Sequence, residues 1–212
     1  MPPREPSPSL DRLSTFASPY AVQAFLDETP YSTEPVYRCP ASVLRDRKAH
    51  CFDGAVFAAA VLKRLGHRPR ILEMLPEPGR DDTHVIALFQ GEGGWGAVAK
   101  SNFVGLRYRE PIHRTLRELV MTYFEAFYNV ERERTLRGYT VPLDLTAFDH
   151  QRWEEDDATM EAIANRLDRI RRMPLLTPEV AAALEPLDRR SYDAGMLGLD
   201  RDGLWMPPGE KK

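Results

Sequence analysis

The segment from Cys51 to Gly66 constrains the fold of this chain more than any other part of the sequence. Between these residues only Asp53, Lys63 and Arg64 carry charge, and all other positions are apolar or small. A helix that is apolar on nearly every face must be surrounded by other elements. Because glycine commonly ends a helix, the sequence predicts a central, buried helix that begins at Cys51 and stops before Gly66.

Three short segments with strand character follow this helix. They cover residues 70–75, 84–89 and 95–100. The sequence QGEGG joins the last two, and its glycines supply the positive φ angles that a tight hairpin turn needs. The sequence therefore predicts an antiparallel pair that begins at His84 and closes near Asn102.

Helical patterns dominate the remaining chain. The predicted helices cover residues 18–29, 41–45, 112–129, 159–173 and 178–187. Ser18 is a favourable cap for the first of them, and Pro19 suits its first turn. The third carries a broad stripe of aromatic and aliphatic side chains, which we expect to lie in the core. A short extended piece is predicted within residues 136–145.

Length and composition limit how many domains the chain can form. Its 212 residues, 42% of them hydrophobic and 29% charged, suffice for one good core. We therefore expect a single domain over residues 11–205. Residues 1–10 are rich in proline, serine and charge and are expected to be disordered, while residues 206–212 are expected to form a loose tail.

Charge and hydropathy exclude several classes of partner. The net charge of -3 gives no basic surface for nucleic acid, and no apolar run is long enough to cross a membrane. The N-terminus lacks the apolar centre of a signal peptide, and two cysteines, Cys39 and Cys51, are too few for a secreted disulfide framework. We therefore expect a cytoplasmic protein with free thiols.

Cys51 is the sharpest candidate for chemistry because it stands at the mouth of the buried helix. The positive end of the helix dipole and the unpaired N–H groups there favour a thiolate. The same N–H groups can hold the oxyanion of an acyl-transfer intermediate. The competing interpretation is a buried, inert cysteine, which is the commoner case for an arbitrary cysteine.

His84 is the candidate general base for this thiol. It follows two aspartates closely and opens an apolar strand, from whose edge its ring can reach inward. The alternative is a half-exposed histidine that closes the strand. His50 is a poorer base, because neighbouring residues on a helix diverge by about 100°.

The order of these residues resembles the core of the transglutaminase-like superfamily, relatives of the papain-type cysteine enzymes. The matching segments, within roughly residues 40–105, are HCFDGAVFAAAVLKRLG (50–66), RPRIL (68–72), THVIALF (83–89) and GGWGAV (93–98). The resemblance implies an α+β fold with a cysteine-protease/transglutaminase-like core, in which a buried nucleophile helix packs on a small antiparallel sheet, with additional C-terminal helices. It also implies that Cys51 is the nucleophile and His84 its base.

The third catalytic position departs from the family pattern. Where members often place an aspartate that orients the histidine, this chain has Ala99 and Lys100. A lysine cannot accept the imidazole N–H, so Asn102 is the candidate that orients His84, as an asparagine does in papain-like enzymes. We expect Lys100 to turn its ammonium to solvent or to pair with a nearby aspartate.

The hypothesis for function is a cysteine enzyme that hydrolyses or transfers an amide or peptide bond of a protein or peptide substrate, with no metal or organic cofactor. Its candidate catalytic residues are Cys51, His84 and Asn102. One alternative is a non-catalytic scaffold of the same fold that binds a protein or peptide. A second alternative is a redox-sensing protein that pairs Cys39 with Cys51.

Overall fold

The computed structural model of the chain describes residues 10–207. The predicted N-terminal disorder and C-terminal tail therefore lie almost wholly outside the described residues. Leu10 is an exception, because it begins a 3₁₀ helix (Leu10–Thr15) that buries Leu13.

Seven helices and seven strands make up the regular α and β structure of the described residues. The helices are α1 (Pro19–Glu28), α2 (Pro40–Asp46), α3 (Cys51–Arg64), α4 (Leu116–Met121), α5 (Ala158–Arg169), α6 (Pro178–Ala182) and α7 (Arg189–Gly195). The strands are β1 (Arg70–Pro76), β2 (His84–Gly91), β3 (Gly94–Val98), β4 (Arg109–His113), β5 (Leu136–Thr140), β6 (Leu143–Asp144) and β7 (Arg172–Pro174).

All seven strands form one antiparallel sheet. Its order is β4-β3-β2-β1-β5-β7, and β6 pairs with the same strand, β1, as β5 does. The chain is thus an α+β protein with an antiparallel sheet and helices. Within residues 10–207, no helix has the length and apolar character needed to cross a membrane.

Helix α3 is the buried helix that the sequence predicts. Every residue from Phe52 to Leu62 is buried, and the helix packs on one face of the sheet in a core shared with α1, α2 and α5. Strand β2 alternates between the two faces: Val85 and Ala87 belong to this core, while Ile86 and Leu88 belong to a second core on the opposite face. Cys51 contacts the Thr83 carbonyl, so the start of α3 lies at the end of the sheet where β2 begins.

The hairpin between β2 and β3 turns where the glycines predict. Gly91 pairs with Gly94, so Glu92 and Gly93 form the loop. Gly94 has a φ of 131°, a conformation that favours glycine. This register places the end of β3, and the residues that follow it, beside the beginning of β2.

The predicted single helix over residues 112–129 is wrong, although its burial is as expected. The segment instead contains the end of β4, helix α4 and a 3₁₀ helix (Phe124–Ala126). Pairing of Trp95 with His113 draws the first residues into the sheet, and the Thr115 side chain then caps a new helix by accepting the Glu118 amide. Tyr123 is fully buried in the second core.

The C-terminal helices are shorter than predicted. Helix α5 ends at Arg169 and the chain then enters strand β7, while α6 ends at Ala182. The sequence pattern does not predict helix α7. Strands β5, β6 and β7 extend the sheet that the first half of the chain begins, so both halves contribute to the same sheet.

Candidate active site

A capping box fixes Cys51 as the first residue of helix α3. The Nδ1 atom of His50 accepts the Phe52 amide at 3.2 Å, and the Asp53 carboxylate accepts the His50 amide at 3.2 Å. Together the two side chains satisfy amides that the helix leaves unpaired at its start. His50 is therefore a helix cap, in agreement with the expectation that it is a poor base.

Asp53 also ties the start of the helix to the preceding loop. Its fully buried carboxylate accepts the Arg38 amide at 2.8 Å and lies 3.8 Å from the Arg38 guanidinium. Burial raises the pKa of Asp53 to about 7, against the opposing effect of the Arg38 and His50 amides. The carboxylate beside Cys51 in the sequence thus has a structural role.

The Cys51 thiol is half-buried at the point where strand β2 begins. Its Sγ atom donates weakly to the Thr83 carbonyl at 3.9 Å. Burial raises the pKa of the Cys51 thiol to about 11, and the Val85 amide at the sulfur opposes this rise only in part. Loss of hydration therefore opposes the thiolate that the helix terminus is expected to favour.

His84 opens strand β2 and is buried. Its Nε2 atom lies 2.9 Å from the Leu106 carbonyl oxygen. Since a carbonyl can only accept, Nε2 must carry the hydrogen, and Nδ1 then holds the basic lone pair. Burial lowers the pKa of His84 to about 4, so the ring is neutral near pH 7.

The Leu106 carbonyl is held in place by contacts from the second core. Leu106 ends a short 3₁₀ helix, and Arg109 donates to the neighbouring Gly105 carbonyl at 2.7 Å. The Arg109 guanidinium stacks 3.9 Å above the Tyr123 ring, whose hydroxyl donates to the Arg107 carbonyl at 2.8 Å. Arg109 and Tyr123 thereby hold the backbone on both sides of the carbonyl that orients His84.

The structure corrects the predicted role of Asn102. The Asn102 amide donates to the Asp200 carbonyl at 2.7 Å and accepts the Asp200 amide at 2.8 Å, so both ends of the side chain are used by the C-terminal segment. The acceptor for His84 is the Leu106 carbonyl instead. A backbone carbonyl has no signature in the residue types, which is why sequence reasoning missed it.

The structure also corrects the predicted position of Lys100. Its side chain is buried, and Nζ donates to the Leu26 carbonyl at 2.9 Å and to the Thr29 carbonyl. These carbonyls lie at the C-terminal end of α1, where a cation is favourable. Burial lowers the pKa of Lys100 to about 8. Lys100 therefore joins α1 to the end of the hairpin and does not face solvent.

Cys51 and His84 line the same small cavity, of about 50 Å³. Cys51 also lines a larger groove of about 590 Å³, which opens outward. Five residues border both spaces, namely Tyr31, Cys51, Asp82, Thr83 and Gly203. We refer to these spaces as the inner cavity and the outer groove. Burial and the neighbouring Cys51 raise the pKa of Tyr31, so its phenol stays protonated and can donate a hydrogen bond.

No hydrogen bond joins the Cys51 sulfur to the His84 ring within the described residues. The two groups share the inner cavity, and the Thr83 carbonyl that the sulfur contacts belongs to the residue before His84. Their juxtaposition thus comes from the chain order around the start of β2.

The other cysteine, Cys39, is enclosed in the core. Cys39 is fully buried and free, and its sulfur donates to the Ser42 hydroxyl at 3.6 Å. Burial raises the pKa of Cys39 to about 11. No group of three or more His, Cys, Asp or Glu side chains within residues 10–207 is arranged to hold a metal ion.

Neither a family model nor a curated protein sequence matches the chain. Among solved structures, the chain is similar to LapG from Legionella pneumophila with a TM-score of 0.31 and 16% identity, over 44% of this chain and 52% of that chain. A structure of EGTA-treated LapG gives a TM-score of 0.37 and 13% identity, over 74% of this chain and 80% of that chain. The first match thus spans about half of the LapG chain, and the likeness of structure is weak.

Proposed function

We propose that the chain is a transglutaminase-like cysteine enzyme that acts on an amide or peptide bond of a protein or peptide. The observation that supports this most is the arrangement of His84. Its Nε2–H donates to the Leu106 carbonyl, which leaves Nδ1 as the basic nitrogen, and His84 and Cys51 line the same cavity. A nucleophile, a base and a group that orients the base are the parts that such catalysis requires.

The proposed reaction begins with the neutral pair. Nδ1 of His84 takes the thiol proton as the Cys51 sulfur attacks the carbonyl carbon, forming a C–S bond and a tetrahedral oxyanion. Tyr31, which borders the inner cavity and keeps its phenol protonated, is the proposed donor to that oxyanion. The C–N bond then breaks, and the amine leaves with the proton from His84. Water or a second amine attacks the thioester and regenerates the thiol.

A fluorescent cysteine-directed probe tests this proposal. We expect it to label Cys51, with labelling lost in Cys51→Ala and unchanged in Cys39→Ala, since Cys39 is fully buried. His84→Ala should slow labelling by on the order of 100-fold, because the thiol loses its base. Mass spectrometry of the labelled peptides identifies the site.

A non-catalytic scaffold is the second candidate function. The closed arrangement favours it in one respect, because burial raises the pKa of Cys51 to about 11 and lowers the pKa of His84 to about 4, so neither group is charged near pH 7. A scaffold should show the same labelling rate with and without His84. That result would overturn the proposed catalysis.

A further inference from the structure

A C-terminal segment covers the candidate site. We call residues 200–205 the C-terminal strap. Gly203 and Trp205 of the strap line the inner cavity, while Asp202, Gly203 and Leu204 line the outer groove. The strap therefore forms one wall of both spaces that Cys51 borders.

The strap is held at its start by specific hydrogen bonds. The Asn102 side chain pairs with the amide and carbonyl of Asp200 in the manner of a backbone partner, at 2.8 and 2.7 Å. The remainder packs loosely, since no residue from 188 to 207 is fully buried. Segments with few buried contacts open at low free-energy cost, so the strap can be displaced while the sheet stays folded.

The backbone of Gly203 lies close to the side chains of Tyr31 and Asn102. A Cβ atom at this position would lie 3.0 Å from two ring atoms of Tyr31 and 3.1 Å from Nδ2 of Asn102. The φ angle of Gly203 is not in the positive region, so its backbone conformation is open to every L-residue. The limited space, and not the backbone conformation, therefore favours glycine at this position.

The two spaces differ in what they can hold. The inner cavity of about 50 Å³ has room for only a few water molecules, whereas the outer groove of about 590 Å³ has the size of a typical ligand site. A peptide can thus approach Cys51 along the outer groove, and Gly203 of the strap borders both spaces beside Cys51.

We propose that the space between Tyr31 and Asn102 is a substrate subsite that selects glycine, and that the strap fills it as an internal ligand until a glycine-containing peptide displaces it. The assignment of a substrate rests on the proposed function, whereas the occupancy by Gly203 does not. The substrate class is a peptide with glycine next to the reacting bond.

Alkylation of Cys51 by iodoacetamide in the full chain, followed by mass spectrometry, tests the proposal. Gly203→Val should displace the strap and raise the alkylation rate of Cys51 by about 10-fold or more, as expected when a minor open state becomes the main one. Leu197→Ala, an exposed position outside the site, is the control and should leave the rate unchanged. Unchanged alkylation in Gly203→Val would overturn the proposal.

Cys39 reports whether each variant is folded. Because Cys39 is fully buried, it stays unmodified in a folded chain. If iodoacetamide modifies both cysteines of Gly203→Val, this variant is unfolded. Asn102→Ala then provides the test, because it removes both hydrogen bonds to Asp200. It should expose Cys51 alone, and a slow Cys51 rate in this variant would contradict the proposal.

A peptide added in trans tests the selection for glycine. A synthetic hexapeptide with the sequence of residues 200–205 should return the alkylation rate of Gly203→Val, which keeps Asn102, toward that of the parent. The same peptide with valine in place of its glycine should not protect, and equal protection by both peptides would overturn the subsite.

The outcome also separates this inference from the proposed function. If the opened variant and the peptides behave as expected but His84→Ala leaves the labelling of Cys51 unchanged, the subsite stands and the catalysis fails. If His84→Ala slows labelling but Gly203→Val and Asn102→Ala leave it as it was, the catalysis stands and the subsite fails.

Discussion

The protonation of His84 links the chemistry of the site to the stability of the fold. Burial lowers the pKa of its imidazole from 6.5 to about 4. The unfolded chain therefore takes up a proton at this residue at a higher pH than the folded chain does. The stability that the neutral ring contributes is fully present above pH 6.5 and is lost as the pH falls toward 4.

We expect His84→Gln to lose less stability than the parent when the pH is lowered. Between about pH 7.5 and about pH 4.5, the free energy of unfolding of the parent should fall by about 2–3 kcal/mol more than that of His84→Gln. The difference grows by about 1.4 kcal/mol for each pH unit below the normal imidazole pKa. Urea unfolding at the two pH values measures the difference. His150→Gln makes the same change at an exposed position and should track the parent. Equal acid sensitivity of the parent and His84→Gln would refute the buried, neutral ring.

The residues of the site differ in how far the sequence predicts them. Cys51 and His84 stand out because a thiol at a helix start and a histidine at a strand start are unusual residue types for those places. The Asn102 partner is not predictable in this way, since Asp200 lies 98 positions further along the chain. The Leu106 carbonyl is invisible because every residue has one.

Among the elements, helix α3 depends on a close contact with the residue that follows the hairpin. A Cβ atom at Gly54 would lie 2.2 Å from the Lys100 Cβ atom. Lys100 cannot withdraw freely, because its ammonium is bonded to carbonyls at the end of α1. The glycine thus lets α3, α1 and the hairpin meet at one point.

We expect Gly54→Ala to destabilise the protein by about 1–3 kcal/mol through overpacking, although alanine is favoured over glycine within a helix by about 1 kcal/mol. Chemical denaturation measures the change. In a Lys100→Gly background the Cβ at position 100 is absent, so the added cost of Gly54→Ala should disappear in a double-mutant cycle. A higher unfolding midpoint for Gly54→Ala alone would show that helix propensity outweighs the contact.

The elements that the sequence predicts well are those specified by local patterns. The apolar run of α3, the glycines of the hairpin and the Ser18 cap of α1 all act within a few residues, and each appears where expected. Residues 112–129 fail as a single helix because pairing with β3 is a long-range interaction that competes with local helical periodicity.

At the scale of the whole molecule, the site is assembled from both halves of the chain. The first half supplies Cys51 and His84. Arg109 and Tyr123 hold the backbone on both sides of the Leu106 carbonyl. The C-terminal strap lines the two spaces that Cys51 borders. Removing the second half should therefore destroy the site as well as the core.

Limited proteolysis distinguishes one cooperative unit from two. Strand β1 pairs with β2 on one edge and with β5 and β6 on the other, so a fragment that ends near residue 108 loses the partners of one edge of β1. Such a fragment also exposes the apolar face that packs on Tyr123 in the whole chain, and this exposure carries a large free-energy cost.

Helices α6 and α7, by contrast, contain no fully buried residue. We expect trypsin to cut first after the exposed Arg189 and Arg190 and to leave the whole sheet, which ends at Pro174, intact. Gel electrophoresis and mass spectrometry identify the products over time. Accumulation of a stable fragment of residues 1 to about 108 would mean that the second half folds separately, because an integrated half cannot be removed without exposing this apolar face.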